Sequence, residues 1–223
     1  MQVQDMFNQI SLTYDRTNRL LSLGRDFAWR KALAAKLPPR PHLRLLDLAT
    51  GTGDQLLALF QKGVSIHQAI GLDIAEEMLK LGRLKLQKYP VQMLFGDAQK
   101  IPYANNQFDA ITISFGIRNV ENPKIALEEM HRVLNVRGRC LILEFSMPPW
   151  WIRPFFLLYL RQIVPRLGGL VSKKKSAYQY LNQTIESFPC NERFIAWMQE
   201  AGFTNCKQYK MHMGAVSLYI GEK

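Results

Sequence analysis

The sequence predicts a single α/β domain built on a mainly parallel sheet, and three observations point there. Short apolar runs alternate with longer amphipathic segments, which is the rhythm of βαβ units. The first run ends in a glycine turn that opens a helix, Leu45-Leu-Asp47-Leu-Ala-Thr-Gly51-Thr-Gly53-Asp54. The chain has 223 residues, 48% of them hydrophobic, enough for one sizeable core and short for two domains.

Taken in order, residues up to about Lys36 read as helical, and Pro38-Pro-Arg-Pro41 ends them, because proline disfavours helical geometry in the residue before it. Residues 1–40 therefore form an N-terminal helical extension within one domain spanning 1–223. Five strands follow at 44–49, 69–73, 91–95, 109–114 and 139–144, with helices between them at 54–62, 75–87 and 123–134. A helix at 194–201 is closed by Gly202, and 207–211 and 215–220 supply two last strands. An insertion after strand five, 148–189, carries a stretch rich in Trp, Phe, Leu and Tyr that Pro154 and Pro165 are expected to break into short pieces.

No basic start followed by an apolar run opens the sequence, and no apolar stretch reaches the roughly 18–20 residues of a bilayer span. Cys140, Cys190 and Cys206 are few and lack a C-x-x-C spacing, so reduced thiols in a cytoplasmic protein are expected, with no metal. The net charge of +11 is unevenly spread: Phe145 to Ile185 contains no acid but holds Arg153, Arg161, Arg166, Lys173, Lys174 and Lys175.

The glycine turn suits a nucleotide-like ligand lying across the carboxyl ends of parallel strands. Gly51 and Gly53 let the backbone approach it, and the helix start offers free N–H groups. Asp73 ends strand two, where a carboxylate can accept ribose hydroxyls. Asp97-Ala98 follows strand three, where an acid can meet an adenine amino group. Leu56 stands where the dinucleotide fingerprint has its third glycine, and Asp47 inside the first strand suits a loop with no pyrophosphate to seat. The ligand is therefore adenosyl rather than dinucleotide.

Several segments carry a closer resemblance. Leu46-Asp-Leu-Ala-Thr-Gly-Thr-Gly-Asp54 resembles motif I of class I methyltransferases. Ile111-Thr-Ile-Ser-Phe-Gly-Ile-Arg-Asn-Val120 resembles the hallmark segment of the UbiE-type menaquinone/ubiquinone C-methyltransferase family. Phe7–Asp15 with Asn18, Arg132–Gly138, Leu143–Ser146 and Ala177–Leu181 match the same family in the same order. The resemblance implies a Rossmann-like class I fold, a seven-stranded sheet with helices on both faces and an antiparallel last strand. It implies S-adenosylmethionine, with contacts at Thr52, Asp73, Asp97, Ala98 and Ser114 alongside Gly51, Gly53 and Asp47. Departures stand at Thr50, at Asn135-Val-Arg-Gly138 and at Tyr219, where the family often has glycine, a Lys-Pro-Gly-Gly-like turn and histidine.

The implied substrate is a polyprenyl quinol lacking one ring methyl. Demethylmenaquinol is the leading reading and a ubiquinone precursor the alternative. A ring carbon is a poor nucleophile until a neighbouring hydroxyl loses its proton, so the site must supply a base, steady a phenolate and align the carbon. Asp54 is the candidate base, acting through water, with Arg118 stabilising negative charge and Asn119 orienting water or quinol. Helix capping for Asp54 and a structural ion pair for Arg118 stay open. Tyr14 and Asp15 either help close the cofactor site or simply pack a helix. His42, His67, His131 and His212 read as structural.

The aromatic and basic insertion suits an anionic membrane surface, or a lid over the prenyl tail. A homodimer is a further expected assembly. An RNA or protein methyltransferase would also explain the charge, but strand four ends in Ser114-Phe-Gly-Ile rather than an Asn-Pro-Pro-Tyr-like motif, and the basic segment is strongly aliphatic. No nucleic-acid partner is expected. A non-enzymatic nucleotide-binding module is the remaining rival.

Overall fold

The computed structural model describes residues 3–167 and 175–223. Its centre is a seven-stranded sheet made of β1 (Leu43–Leu48), β2 (Ile66–Asp73), β3 (Val91–Phe95), β4 (Phe108–Ser114), β5 (Leu134–Phe145), β6 (Thr204–Met211) and β7 (Val216–Glu222). The strand order is β3-β2-β1-β4-β5-β7-β6. β1 pairs in parallel with β2 and β4, as do β2 with β3 and β4 with β5. β7 runs antiparallel to both β5 and β6. This is the Rossmann-like class I arrangement that the sequence and its resemblance imply, reversed last strand included.

Both faces of the sheet are covered by helices, and the two-residue period of the strands decides which face each side chain joins. Leu43 and Leu45 of β1 pack with Leu33 from α2 (Arg25–Ala34), Leu56 and Leu59 from α3 (Asp54–Gln61), and Leu79 from α4 (Glu76–Lys85). Leu46 and Leu48 face the other way, onto Leu127 and Met130 of α5 (Pro123–Val133) and Phe194 of α8 (Glu192–Glu200). A third cluster joins Met6 and Ile10 of α1 (Val3–Leu21) to Met78 of α4, to Leu160 and Val164 of the insertion, and to Ile185 of α7 (Lys175–Ser187). The N-terminal extension and the insertion thus share one apolar cluster.

Three local readings change. The N-terminal region is two helices, because the chain turns at Ser22–Gly24 with Gly24 left-handed at φ +73°. β5 begins at Leu134 rather than 139: Leu134 pairs with Phe108, and the register then shifts before Ala110 meets Arg139. The expected turn at Asn135–Gly138 is therefore an irregularity inside a strand, with Arg137 at φ +61°. Pro165 does not break the insertion. The chain is helical from α6 (Arg153–Leu158) through residue 167, with a π-helical turn at Tyr159–Ile163. Proline lacks an N–H and its ring crowds the carbonyl four residues back, which a widened turn relieves. Lys173 and Lys174 lie outside the described residues.

Candidate active site

The strand order reverses between β1 and β4, so their carboxyl ends part and leave a crevice. The loop after β1 fills the edge of that crevice. Asp47, almost fully buried, accepts hydrogen bonds from Thr50 Oγ1 (2.6 Å) and from Thr112 Oγ1 on β4 (2.6 Å). It ties the loop to the neighbouring strand and keeps off the main cavity wall. Gly51 and Gly53 take left-handed φ values of +56° and +79°. A Cβ on Gly51 would stand in open space, as a backbone meant to border a ligand should, whereas one on Gly53 would meet Leu86 Cδ1 at 2.5 Å.

Burial raises the Asp47 carboxyl from its ordinary 3.8 to about 6, against the pull of the two threonine hydroxyls. The folded chain then holds this proton more tightly than the unfolded one. Between about pH 4 and pH 6 the contribution of Asp47 to stability therefore falls as pH rises, by an amount on the order of 3 kcal/mol. The stability advantage of the native protein over Asp47→Asn, from urea unfolding, is expected to shrink by that order across this window. A difference that stays flat with pH would contradict it.

Asp73, at the end of β2, accepts from the backbone N–H of Gly51 (2.8 Å) and of Ala75 (2.8 Å). It fixes the glycine loop and lines a cavity of about 650 Å³. Asp97, Ala98, Gly51 and Ser114 line the same cavity. Ser114 Oγ is held by Gln55 Oε1 at 2.8 Å, a residue that sequence reasoning did not single out. The volume lies in the ordinary range for small-molecule sites, roughly 300–1,000 Å³. Two carboxylates at successive strand ends beside an open glycine fit an adenosyl ligand.

Thr52 and Asp54 are elsewhere. Lys85, at the end of α4, donates to Asp54 Oδ1 (2.6 Å), to Thr52 Oγ1 (2.7 Å) and to Asp15 Oδ2 (2.6 Å), and Thr52 Oγ1 donates to Asp15 Oδ1 (2.7 Å). The four side chains clasp α1 to the glycine loop and α4. Thr52 and Asp54 line only a narrow crevice behind the loop, shared with Tyr14, Arg30 and Ser114. Asp54 opens α3, yet Gly53 is its N-cap and no capping hydrogen bond forms, so the capping role does not describe it.

The segment after β4 explains its own unusual sequence. Phe115 adopts φ +58°, a strained value for a bulky residue, and its N–H donates to Leu143 O at 2.7 Å. Gly116 follows where a Cβ would stand 2.5 Å from Ala49 Cβ. The chain reverses into a short 3₁₀ turn, Ile117–Asn119. Arg118 Nη1 then donates to Phe115 O (2.8 Å) and to Glu144 Oε1 (2.5 Å), and Asn119 Nδ2 points to Phe115 O at 3.4 Å. The Arg118–Glu144 pair is buried, with side-chain exposures of 6% and 1%. Burial raises the Glu144 carboxyl, and the Arg118 charge draws it back. Glu144 escaped sequence assignment, although an acid inside Leu141-Ile-Leu-Glu-Phe was the available signal.

A second cavity, of about 330 Å³, lies beyond Phe115 and is lined chiefly by apolar side chains from α1, α2 and the insertion. Phe7, Tyr14, Phe115, Arg118, Asn119 and Tyr180 border both cavities. Of the two residues singled out on the N-terminal helix, Tyr14 stands at the junction of the cavities, while Asp15 lines neither and lies in the Lys85 clasp. His212 also lines the apolar cavity, its ring 5.7 Å from that of Trp29, and burial lowers its pKa. His131 packs edge-on against Phe203. Tyr219 is buried in the core, its hydroxyl accepting from Asn191 N at 2.8 Å.

Residues 1–223 match the ubiE/COQ5 methyltransferase family over their whole length. The chain belongs to that family. A demethylmenaquinone methyltransferase of Clavibacter sepedonicus is 41% identical, covering 100% of this chain and 90% of that protein. A ubiquinone/menaquinone biosynthesis C-methyltransferase of Geotalea daltonii is 39% identical, covering 99% and 96%. In structure, a SAM-dependent methyltransferase of Thermotoga maritima superposes with a TM-score of 0.70 at 19% identity, covering 98% and 99%. One from Aquifex aeolicus gives 0.64 at 17%, covering 93% and 96%. These last two establish the class I fold. As a ubiE/COQ5 methyltransferase, the protein uses S-adenosylmethionine, which supplies an electrophilic methyl on sulfonium. The polar cavity, with Asp73 and Asp97, is the place whose chemistry fits it.

Proposed function

We propose that this chain methylates a ring carbon of a polyprenyl quinol, converting demethylmenaquinol to menaquinol. The observation that carries the reading is the meeting of a polar, adenosyl-type cavity with an apolar one across Phe115, Arg118 and Asn119. A quinol ring in the apolar cavity can turn one edge to that junction. Its hydroxyl proton leaves to a base, the ring carbon forms a bond to the methyl as the sulfur–methyl bond breaks, and the ring proton departs to restore aromaticity. Arg118 steadies the negative charge and Asn119 orients the ring or a water. Asp54 is the proposed base, working through water in the crevice it shares with Tyr14 and Arg30. Asp73, Asp97, Ala98, Ser114 and Gly51 hold the donor, while Asp47, Thr52 and Gly53 shape its loop.

The same reading sends the protein to a membrane, where its substrate lives, from the cytoplasmic side. No described helix is long and apolar enough to cross one. Trp150 is 81% exposed, and Trp151, Phe155 and Leu158 are exposed beside it; Leu23 and Met213, also exposed, line the apolar cavity. Such apolar tips beside basic residues suit the headgroup region, although Arg161 is already paired with Glu186.

Purified protein given S-adenosylmethionine and reduced demethylmenaquinone in anionic vesicles is expected to yield S-adenosylhomocysteine and a quinone heavier by one methylene. It should co-sediment with those vesicles at low salt and dissociate as salt rises. Turnover only on a benzoquinol would move the assignment to the ubiquinone branch. Turnover on neither ring would end the reading.

A further inference from the structure

We propose that Arg30 binds an anionic ring oxygen of the methyl acceptor, as a second cationic contact separate from Arg118. This rests on the quinol reading above and names the group that would hold the far side of the ring. Arg30 lies on α2 and is only 7% exposed. It lines the apolar cavity and also the crevice behind the glycine loop. Among the described residues no carboxylate comes within ion-pair distance of it, and its Nε has no hydrogen-bond partner.

Among the described residues exposed arginines such as Arg16 and Arg153 also lack an ion pair, but most half-buried arginines have one. Arg118 has Glu144, Arg139 has Glu222 and Arg132 has Glu129, and all three of these partners are at 2.8 Å or less. Burying an unpaired cation costs several kcal/mol. Arg30 has two partial compensations, the face of the Phe115 ring 5.4 Å from its guanidinium carbon and a longer-range attraction to the buried Asp47 carboxylate, neither of them a hydrogen bond. Contacts of that kind offset only part of the cost of burying the charge. The two nearby acids are committed elsewhere. Asp47 is held by two threonine hydroxyls, and Asp26, which lines the same cavity, accepts from Ser22 Oγ at 2.8 Å.

The chemistry of the missing partner follows from the cavity. Its walls are chiefly apolar, so its ligand is an apolar body with few polar points. A phosphate would ask for more donors than one guanidinium. A single oxygen anion on an aromatic ring asks for one or two charge-assisted N–H bonds, which Arg30 can give. Arg118 is already paired with Glu144 and borders both cavities. Arg30 stands over the Phe115 ring and Arg118 over the Phe145 ring, and both line the apolar cavity, so a ring held there has two cations in its walls.

Two naphthoquinones that differ in charge test this without turnover. 2-Hydroxy-1,4-naphthoquinone is an anion at neutral pH, and 2-methoxy-1,4-naphthoquinone is its neutral counterpart. With S-adenosylhomocysteine present, calorimetry on the full chain is expected to show the anion bound at least about tenfold more tightly than the neutral ring. Arg30→Met is expected to abolish that preference and keep S-adenosylhomocysteine affinity within about twofold, while Arg30→Lys retains part of the preference. A preference that survives in Arg30→Met overturns the assignment and leaves the quinol reading intact. Failure of both rings to bind native protein that still binds S-adenosylhomocysteine overturns the quinol reading itself. If Arg30→Met does not fold, Arg30→Gln takes its place; if neither uncharged variant folds, Arg30 is a structural cation and the proposal falls.

Discussion

Replacing Asp73 with alanine is expected to weaken S-adenosylmethionine binding by two orders of magnitude or more, a change of roughly 2.7 kcal/mol or above. Two separate losses combine. The carboxylate that faces the cavity disappears, and with it the proposed acceptor for two ligand hydroxyls. The backbone N–H groups of Gly51 and Ala75, which it binds at 2.8 Å each, lose their partner. A buried donor left unpaired costs about 1–3 kcal/mol. The loop that approaches the ligand is then free to move, so positioning suffers as well as contact. Asp73→Asn keeps one acceptor but turns an amide N–H₂ toward the other donor, and should fall between native protein and alanine. Calorimetric titration with S-adenosylhomocysteine reads the effect directly, and affinity within threefold of native in Asp73→Ala would show that the carboxylate does not hold the ligand.

Asp73 was legible because its place in the pattern was local. An acid at the end of an apolar run, one βα unit after a glycine turn, needs only the parallel sheet to bring it beside that turn. The same logic placed Asp97 just after the third strand. It failed where a partner comes from far along the chain. Lys85 meets Asp15 across 70 residues and Asp54 across 31 residues, and nothing in the short-range pattern of any of them announces the clasp. Asp54 therefore reads in the sequence as a base with no sign of its partners, while its carboxylate is held by Lys85 and approached by Arg19 at 3.7 Å. Boundaries failed for a different reason. Arg137 and Gly138 carry turn chemistry, but Leu134 pairs with Phe108 before them, Arg139 with Ala110 and Glu222 after them, and both of them bond to the Lys223 backbone, which keeps them inside β5. Tertiary hydrogen bonding there outweighs local preference.

The Arg118–Glu144 pair allows folding and chemistry to be separated. Glu144→Ala leaves the Arg118 cation buried with no counter-charge, and guanidinium cannot shed its proton, so a loss of about 3–5 kcal/mol is expected. Arg118→Met leaves the opposite orphan, but Glu144 has an escape. Burial already raises its carboxyl, and without Arg118 nothing of opposite charge draws it back, so it can fold neutral. The folded pKa then lies above the unfolded one, and Arg118→Met should lose stability as pH rises from the ordinary glutamate range toward neutrality and beyond. Removing both charges, as Arg118→Met with Glu144→Met, takes the Glu144 acceptor from the Phe145 N–H, which donates to it at 2.8 Å, while the Phe115 carbonyl keeps Asn119 Nδ2 at 3.4 Å. Apolar replacement of a buried pair is often close to neutral, so the double variant should unfold within about 2 kcal/mol of native. Its turnover should nevertheless drop by a factor of about 10²–10³, because the cation at the junction of the two cavities is gone. A double variant as unstable as Glu144→Ala would show that the two charges are not energetically coupled. One that keeps native turnover would remove Arg118 from the chemistry and leave the proposed phenolate site to other residues.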